Sequence, residues 1–275
     1  MSTFDNDGTA GKANFWVQPC YPPLWPIQPT ITTIWPTTIP QPRAPIRRRH
    51  NRAPIRRKGR GAKETYIALI LDKSGSMTSC YDAALGAINE QIDTIKANAK
   101  KGGRTYVSII LFSSTVDIIA ENVLAENLKH LTREDYVLDG MTALRDAVRT
   151  AIELMQEFEH ASKNQGFLTV LISDGQENQS GTSKTELQNL IALKERTDKW
   201  SFTYMLDGHS WEQIQELTNY MGSSISNYGI FSNTPAGTQK AGLVACNALS
   251  SYMSARNDGQ TSTKTFYNDQ NNKTE

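Results

Sequence analysis

Residues 65–76 read TYIALILDKSGS, and this stretch decides the fold class. Its first seven residues form a continuous β-rich apolar run, which predicts a short strand buried on both faces. Asp72 ends the run, and a loop rich in serine follows. Apolar residues then recur at helical spacing over residues 80–101, where Gly102-Gly103 ends the pattern. A buried strand followed directly by an amphipathic helix is typical of α/β proteins.

The same alternation continues along the chain to about residue 255. Further strands are predicted at 106–112, 116–120, 167–172, 201–206 and 228–231, and further helices at 142–161, 184–198, 210–221 and 235–255. The first two of these strands are close enough to pair antiparallel. The pattern indicates a Rossmann-like, doubly wound α/β fold: a mainly parallel sheet with one antiparallel edge strand and helices on both faces. Ligands of such sheets bind outside the carboxyl ends of the strands.

Composition divides the 275 residues into three segments. Residues 1–60, Pro/Trp-rich and then Arg-rich, are predicted to be an extended arm, 61–256 the folded domain and 257–275 a polar tail. The arm has ten Lys/Arg against two Asp, whereas the remainder has 19 basic and 26 acidic residues. The net charge of +1 is therefore the sum of +8 on the arm and −7 on the rest.

The arm contains an internal repeat and several large aromatic residues. RAPIRR at residues 43–48 recurs at 52–57, and two copies are too few for a solenoid. Trp16, Trp25 and Trp35 are candidates for docking onto an assembly partner, because large aromatic side chains are costly to leave in water. A disordered linker is the alternative.

Residues 43–60 contain nine basic and no acidic residues, which suits nucleic acid or another polyanion. The candidate contacts are Arg47, Arg48, Arg49, Arg56, Arg57 and Lys58. A solvated linker, or one lying on the chain's own acidic body, is the alternative.

The three cysteines are widely spaced and form no CxxC pair, which favours a reducing compartment over a disulfide framework. The N-terminal residues lack a basic region followed by an apolar one, and no apolar run approaches the roughly 18 residues of a membrane span. We therefore expect a cytoplasmic protein, or a virion protein if it is phage-encoded, without a membrane partner.

Three short segments carry the residue types of a metal site. DKSGS at 72–76 follows the first predicted strand, GMTAL at 140–144 lies at a predicted helix start, and Ser173-Asp174-Gly175 follows another strand. In this order they resemble the metal-ion-dependent adhesion site of von Willebrand factor A domains. The resemblance covers roughly residues 63–255. Standalone bacterial and phage-borne A domains look most similar, on YVLDGMTALRDA at 136–147 and DGQEN at 174–178.

The resemblance implies a ligand set for one divalent ion. Ser74 and Ser76 would bind it directly, Thr142 directly or through water, and Asp72 and Asp174 through water or directly. Hard oxygen ligands of this kind suit Mg²⁺, with Mn²⁺ as a second candidate. Two carboxylates would balance the ion's charge without saturating its shell, and neutral hydroxyl ligands would leave the ion electrophilic. A partner protein's exposed Asp or Glu could then fill an open position. The N-terminus of the predicted 80–101 helix is expected to face this loop and to add attraction for an anion.

Other residues near these segments receive weaker expectations. Lys73 is predicted to be a solvated side chain, and Asp139 and Asp146 are candidates for groups behind the metal ligands. No enzymatic activity is expected: a phosphatase with Asp72 as nucleophile needs an acid two residues later, where Ser74 stands. No nucleophile elbow, zincin motif or phosphate loop occurs either.

The sequence thus predicts a metal-dependent protein-interaction module. The first alternative is a structural component of a larger assembly, docked through the N-terminal arm. The second is an A domain whose metal site is degenerate.

Overall fold

The computed structural model describes residues 42–48, 63–160, 164–174, 177–207, 228–231 and 234–260. All of these residues belong to one compact unit, residues 40–275.

A seven-stranded sheet forms the centre of the described part. Its strands are β1 (Ile46–Arg48), β2 (Glu64–Asp72), β3 (Arg104–Phe112), β4 (Val116–Leu124), β5 (Gln165–Ser173), β6 (Trp200–Asp207) and β7 (Tyr228–Phe231). Their order across the sheet is β1-β4-β3-β2-β5-β6-β7. Neighbouring strands run parallel except for β3 and β4, which are antiparallel.

Helices cover both faces of this sheet. They are α1 (Tyr81–Ala99), α2 (Leu144–Gln156), α3 (Lys184–Glu195) and α4 (Pro235–Asn257), with short 3₁₀ turns at Gly75–Cys80 and Ala125–Asn127. One hydrophobic core contains Ile67 and Leu69 of β2 together with residues of α1 and α4. The other contains Ala68 and Ile70 of β2 together with residues of α2 and α3. Both faces of β2 are therefore buried, which explains its continuous apolar run.

The predicted fold class is confirmed: the sheet is mainly parallel, β3 and β4 form the antiparallel pair, and helices lie on both faces. The sequence patterns also located the described strands from β2 to β7. The helix predicted at 210–221 lies outside the described residues, as does most of the predicted tail.

Two helices begin later than predicted. The helix expected from residue 80 starts at Tyr81. It is preceded by the 3₁₀ turn Gly75–Cys80, which overlaps the end of the serine loop, residues 72–76. The helix expected at 142–161 ends at Gln156 and starts at Leu144, and the start is late because the backbone of Thr142 bonds to Asn178 instead of entering the helix. The N-terminus that faces the serine loop is therefore that of the 3₁₀ turn.

The first described segment, residues 42–48, lies on the sheet. Its strand β1 pairs in parallel with residues 116–118 of β4. The antiparallel strand β4 was predicted at the edge, and β1 covers its outer side. Part of the predicted arm thus extends the sheet of the folded unit.

Among the described helices, none combines the length and apolar character needed to cross a membrane.

Candidate metal centre

Asp72 lies at the carboxyl end of β2 and is fully buried. Its Oδ1 accepts a hydrogen bond from the backbone N–H of Ser74 at 2.8 Å, and its Oδ2 accepts one from the Ser173 hydroxyl at 2.7 Å. The Tyr136 hydroxyl donates to the backbone carbonyl of Asp72 at 2.8 Å. These bonds fix the carboxylate between the ends of β2 and its neighbour β5.

Two hydroxyl groups lie next in the same loop. Ser74 Oγ and Ser76 Oγ are 3.0 Å apart, with Ser74 buried and Ser76 exposed. Ser74 is the N-cap of the following 3₁₀ turn, yet its side chain makes no capping hydrogen bond. The paired hydroxyls therefore lead from the buried carboxylate towards the solvent.

Backbone hydrogen bonds join this loop to the segment before α2. The N–H of Asp139 donates to the carbonyl of Lys73 at 2.9 Å, and the N–H of Gly75 donates to the carbonyl of Gly140 at 3.4 Å. Gly140 has a φ of 64°, and a Cβ there would lie 2.3 Å from Ser114 Oγ. Only glycine fits this turn, which brings the Thr142 segment to the serine loop.

Thr142 is buried and is held by the loop that follows β5. Its N–H donates to Asn178 Oδ1 at 2.8 Å, and its carbonyl accepts from the N–H groups of Asn178 at 3.1 Å and Gln179 at 3.2 Å. None of these bonds uses the Thr142 hydroxyl. Hydrogen bonds of its backbone thus position Thr142, and its side-chain hydroxyl is left for another contact.

The electrostatics at this end of the sheet favour a cation. Burial, above all, and also the negative charge of half-buried Asp174 raise the pKa of Asp72 to about 7, although hydrogen bonds from Ser173 and Ser74 lower it. Burial also raises the pKa of Tyr136 above its usual range. Two neighbouring carboxylates are costly to ionise together, and a bound cation would offset that cost.

The structure brings the residues that the resemblance assigned to one metal ion to one end of the sheet. Asp72, Ser74 and Ser76 share one loop, Thr142 is tied to it through Gly140, and Asp174 follows β5. In the described part of the chain, no three His, Cys, Asp or Glu side chains cluster as metal ligands. The donor set is instead two carboxylates and three hydroxyls, which fits a hard divalent ion.

The prediction that Lys73 is solvated is wrong. The side chain is only 5% exposed, and its Nζ lies 3.4 Å from Oδ2 of the fully buried Asp117 on β4. A buried ammonium group needs a counter-charge, and Asp117 supplies it from a position 44 residues away in the sequence, which no local pattern reveals. Lys73 therefore ties the serine loop to β4.

Asp146 has a structural role that the sequence did not reveal. Its carboxylate accepts hydrogen bonds from the backbone N–H groups of Ala44 at 2.5 Å, Gly181 at 3.0 Å and Thr182 at 2.9 Å. It joins the start of α2 to the 180–182 loop and to residues 42–48. For Asp139, the other residue considered, the contact to the serine loop is made by its backbone.

Three supporting residues were not singled out from the sequence: Tyr136 and Ser173, which bond to Asp72, and Asn178, which holds Thr142. All three lie within the quoted motifs. The signal was thus present, but their hydrogen-bond partners lie on other elements.

The residues predicted on the arm are only partly described. Arg47 and Arg48 belong to β1, where Arg48 Nε lies 3.4 Å from Glu121 Oε2. The other predicted arm contacts lie outside the described residues: Trp16, Trp25, Trp35, Arg49, Arg56, Arg57 and Lys58.

Comparison with known proteins identifies the fold. No family model and no curated protein matches the chain. Among solved structures, a von Willebrand factor type A protein from Catenulispora acidiphila superposes with a TM-score of 0.50 at 16% identity, over 69% of this chain and 43% of that one. The pilus adhesin SpaC from Lactobacillus rhamnosus GG, in an open conformation, superposes with a TM-score of 0.54 at 12% identity, over 70% of this chain and 31% of that one.

The chain spans less than half the length of either structure. At these identities the likeness shows the fold alone, and that fold is the von Willebrand factor A fold expected from the sequence.

Proposed function

We propose that the chain is a protein-interaction module that binds an acidic side chain of a partner protein through Mg²⁺ held at the carboxyl end of β2. The observation that carries the proposal is the pair of Ser74 and Ser76 hydroxyls, 3.0 Å apart, in the loop that begins with buried Asp72. Thr142 and Asp174 complete the oxygen ligands, and Mn²⁺ is the second candidate ion.

The charges at the site support binding of an outside carboxylate. Asp72 and Asp174 together supply the two negative charges that balance a divalent ion, whereas the serine and threonine ligands are neutral. Because neutral hydroxyls leave the ion electrophilic, it would attract an additional anion to an open position. Ser76 is exposed, so the solvent side of the site is where a partner's Asp or Glu would approach.

The chemistry proposed for the site is binding and not catalysis. The position where a phosphatase would need its second acid is occupied by Ser74, whose hydroxyl pairs with Ser76. We expect no turnover of phosphomonoesters. Steady hydrolysis that is abolished by Asp72→Asn would contradict this expectation.

Calorimetric titration of Mg²⁺ and Mn²⁺ into the full chain tests the metal site. Ser76→Ala removes one exposed ligand, and we expect it to weaken metal binding by about tenfold or more, a loss typical of damaged metal sites. Ser79→Ala is the matched control, because Ser79 is an exposed serine of the same 3₁₀ turn. Equal metal affinity in both variants would contradict the proposed ligand set.

The partner half of the proposal needs its own readout. Peptides that carry a single Asp or Glu should bind the Mg²⁺-loaded chain, lose binding on addition of EDTA, and lose it again when the acidic residue becomes Asn or Gln. Binding that persists in EDTA would show that the interaction does not run through the metal.

The alternative of an assembly component docked by residues 1–60 rests mainly on residues outside the described part. The described contacts of residues 42–48 are with β4 and α2 of the same chain.

A further inference from the structure

The first copy of the RAPIRR repeat, residues 43–48, is docked along the outer edge of β4. Arg43 donates from Nη1 and Nη2 to the two carboxylate oxygens of Glu153, each at 3.2 Å. The N–H of Ala44 donates to Asp146 at 2.5 Å, and the Ala44 side chain is buried in the core next to α2. The first two residues of the repeat are thus recognised by side chain and backbone together.

The remaining residues of the repeat add a strand to the sheet. The carbonyl of Pro45 accepts from the N–H of Val116 at 2.9 Å, and residues 46–48 then pair in parallel with 116–118. Arg48 Nε lies 3.4 Å from Oε2 of Glu121. Strand addition of this kind gains affinity from backbone hydrogen bonds and specificity from side-chain contacts.

The docking surface selects for a basic, extended segment. Asp146 and Glu121 are nearly fully buried carboxylates, and such groups are costly unless donors or cations meet them. The surface offers an acceptor for the N–H at the second position of the ligand and carboxylates for arginine at the first and sixth positions. The RAPIRR repeat carries all three of these groups.

The second copy, residues 52–57, is identical to the first at all six positions. Whatever the β4 edge recognises in the first copy is therefore present again nine residues later. The sequence therefore supplies two copies of the ligand for this docking surface.

The second copy cannot occupy that surface within its own chain while Lys63, whose carbonyl accepts from the N–H of Arg104 at 2.9 Å, stays in place beside β3. In the sheet register, Arg48 lies level with Ile70 of β2, across β4 and β3. Three strand spacings from Arg48 to Ile70 span about 14 Å, and the seven residues from Ile70 back to Lys63 span about 23 Å. At right angles to each other, these two spans place Arg48 and Lys63 about 27 Å apart. If Arg57 stood in place of Arg48, the six residues from Arg57 to Lys63 would have to span these roughly 27 Å, whereas six residues extend to at most about 22 Å.

We infer that the second repeat is a ligand for the β4 edge of another copy of this chain, and that the first repeat limits self-association by occupying that edge within its own chain. The intramolecular ligand has the advantage of a high effective concentration. Exchange between copies therefore requires release of the first repeat. This inference is independent of the proposed metal site.

Sedimentation analysis of full-length variants over a wide range of protein concentration tests the inference. Ala44→Pro removes the N–H that donates to Asp146 and should release the first repeat. Copies of this variant should therefore associate with one another as the protein concentration rises. Ala53→Pro makes the same change in the second repeat and should stay as monomeric as the wild type. The double variant exposes the same β4 edge as Ala44→Pro but lacks an intact ligand, and it should be monomeric.

Two outcomes would overturn the inference: a monomeric Ala44→Pro protein, or a double variant that associates as strongly as Ala44→Pro, which would mean that the bare edge is merely adhesive. If circular dichroism shows that Ala44→Pro does not fold, Arg43→Gln replaces it and Arg52→Gln becomes the matched change. Arg43 is partly exposed and its replacement removes the pair with Glu153, so the same pattern is expected with weaker association.

Discussion

At the scale of single residues, Asp72 makes the stability of the metal-free protein depend on pH. Its pKa is raised from 3.8 to about 7 on folding, mainly by burial. Between these values the folded state keeps a proton that the unfolded chain has released, so the free energy of unfolding falls as the pH rises. We expect urea unfolding in EDTA to show lower stability at about pH 7.5 than at about pH 5, with a smaller difference in Asp72→Asn.

The same measurement in saturating Mg²⁺ provides the contrast. A cation beside the carboxylate favours its ionised form, so the added stability from Mg²⁺ should grow with pH. An identical pH dependence in the wild type and Asp72→Asn would show that other groups control it.

Lys73 and Asp117 form a second residue-scale test, because each is buried and each neutralises the other. Lys73→Met leaves the buried Asp117 charge without the Lys73 ammonium group, although Thr115 Oγ1 still donates to its Oδ1. We expect a loss of about 3 kcal/mol in the free energy of unfolding. Lys129→Met, at an exposed position, is the control and should change stability little. A loss in Lys73→Met that Asp117→Asn does not partly restore would argue against the ion pair as its cause.

At the scale of elements, Asp146 connects α2, the 180–182 loop and the strand segment at residues 42–48. In Asp146→Asn the side-chain amide would face N–H donors, so at least one of these bonds is lost. We expect the free energy of unfolding to fall by about 2–3 kcal/mol, as for hydrogen bonds to a charged group. Asp93→Asn is the matched control at an exposed position. A comparable loss of stability in this control would mean that the effect does not come from the connection between α2, the 180–182 loop and residues 42–48.

The elements also show how far the sequence can predict this molecule. Apolar runs located β2 and β5 because both of their faces are buried, and the motifs located the oxygen-rich loops because the residue types are local. Strand β1 was not predicted as a strand, because three residues with two arginines carry no periodicity and the pairing partner lies 70 residues away in the register. Burial of Lys73 was missed for the same reason, since its cause is a distant carboxylate.

At the scale of the whole molecule, the separation of charge between arm and body has a structural counterpart. Arg43 and Arg48 pair with Glu153 and Glu121, so this part of the basic block lies on the chain's own acidic surface. Polyanion binding by residues 43–60 stays a prediction, and a polyanion would compete with these carboxylates for the two arginines. Its binding should weaken steeply with salt.

Limited digestion with trypsin should distinguish the ionic from the backbone part of this docking. Arg48 is 60% exposed, and exposed ion pairs contribute only about 0–1 kcal/mol each, so salt should accelerate cleavage after Arg47 and Arg48 only modestly. Ala44→Pro removes a bond to buried Asp146 and should accelerate the same cleavages much more, because docking of the segment then lacks its anchor. Mass spectrometry of the fragments gives the rates, with cleavage after Lys129 as the internal reference. If salt alone accelerates cleavage as much as Ala44→Pro, charge attraction and not strand pairing holds the segment on the sheet.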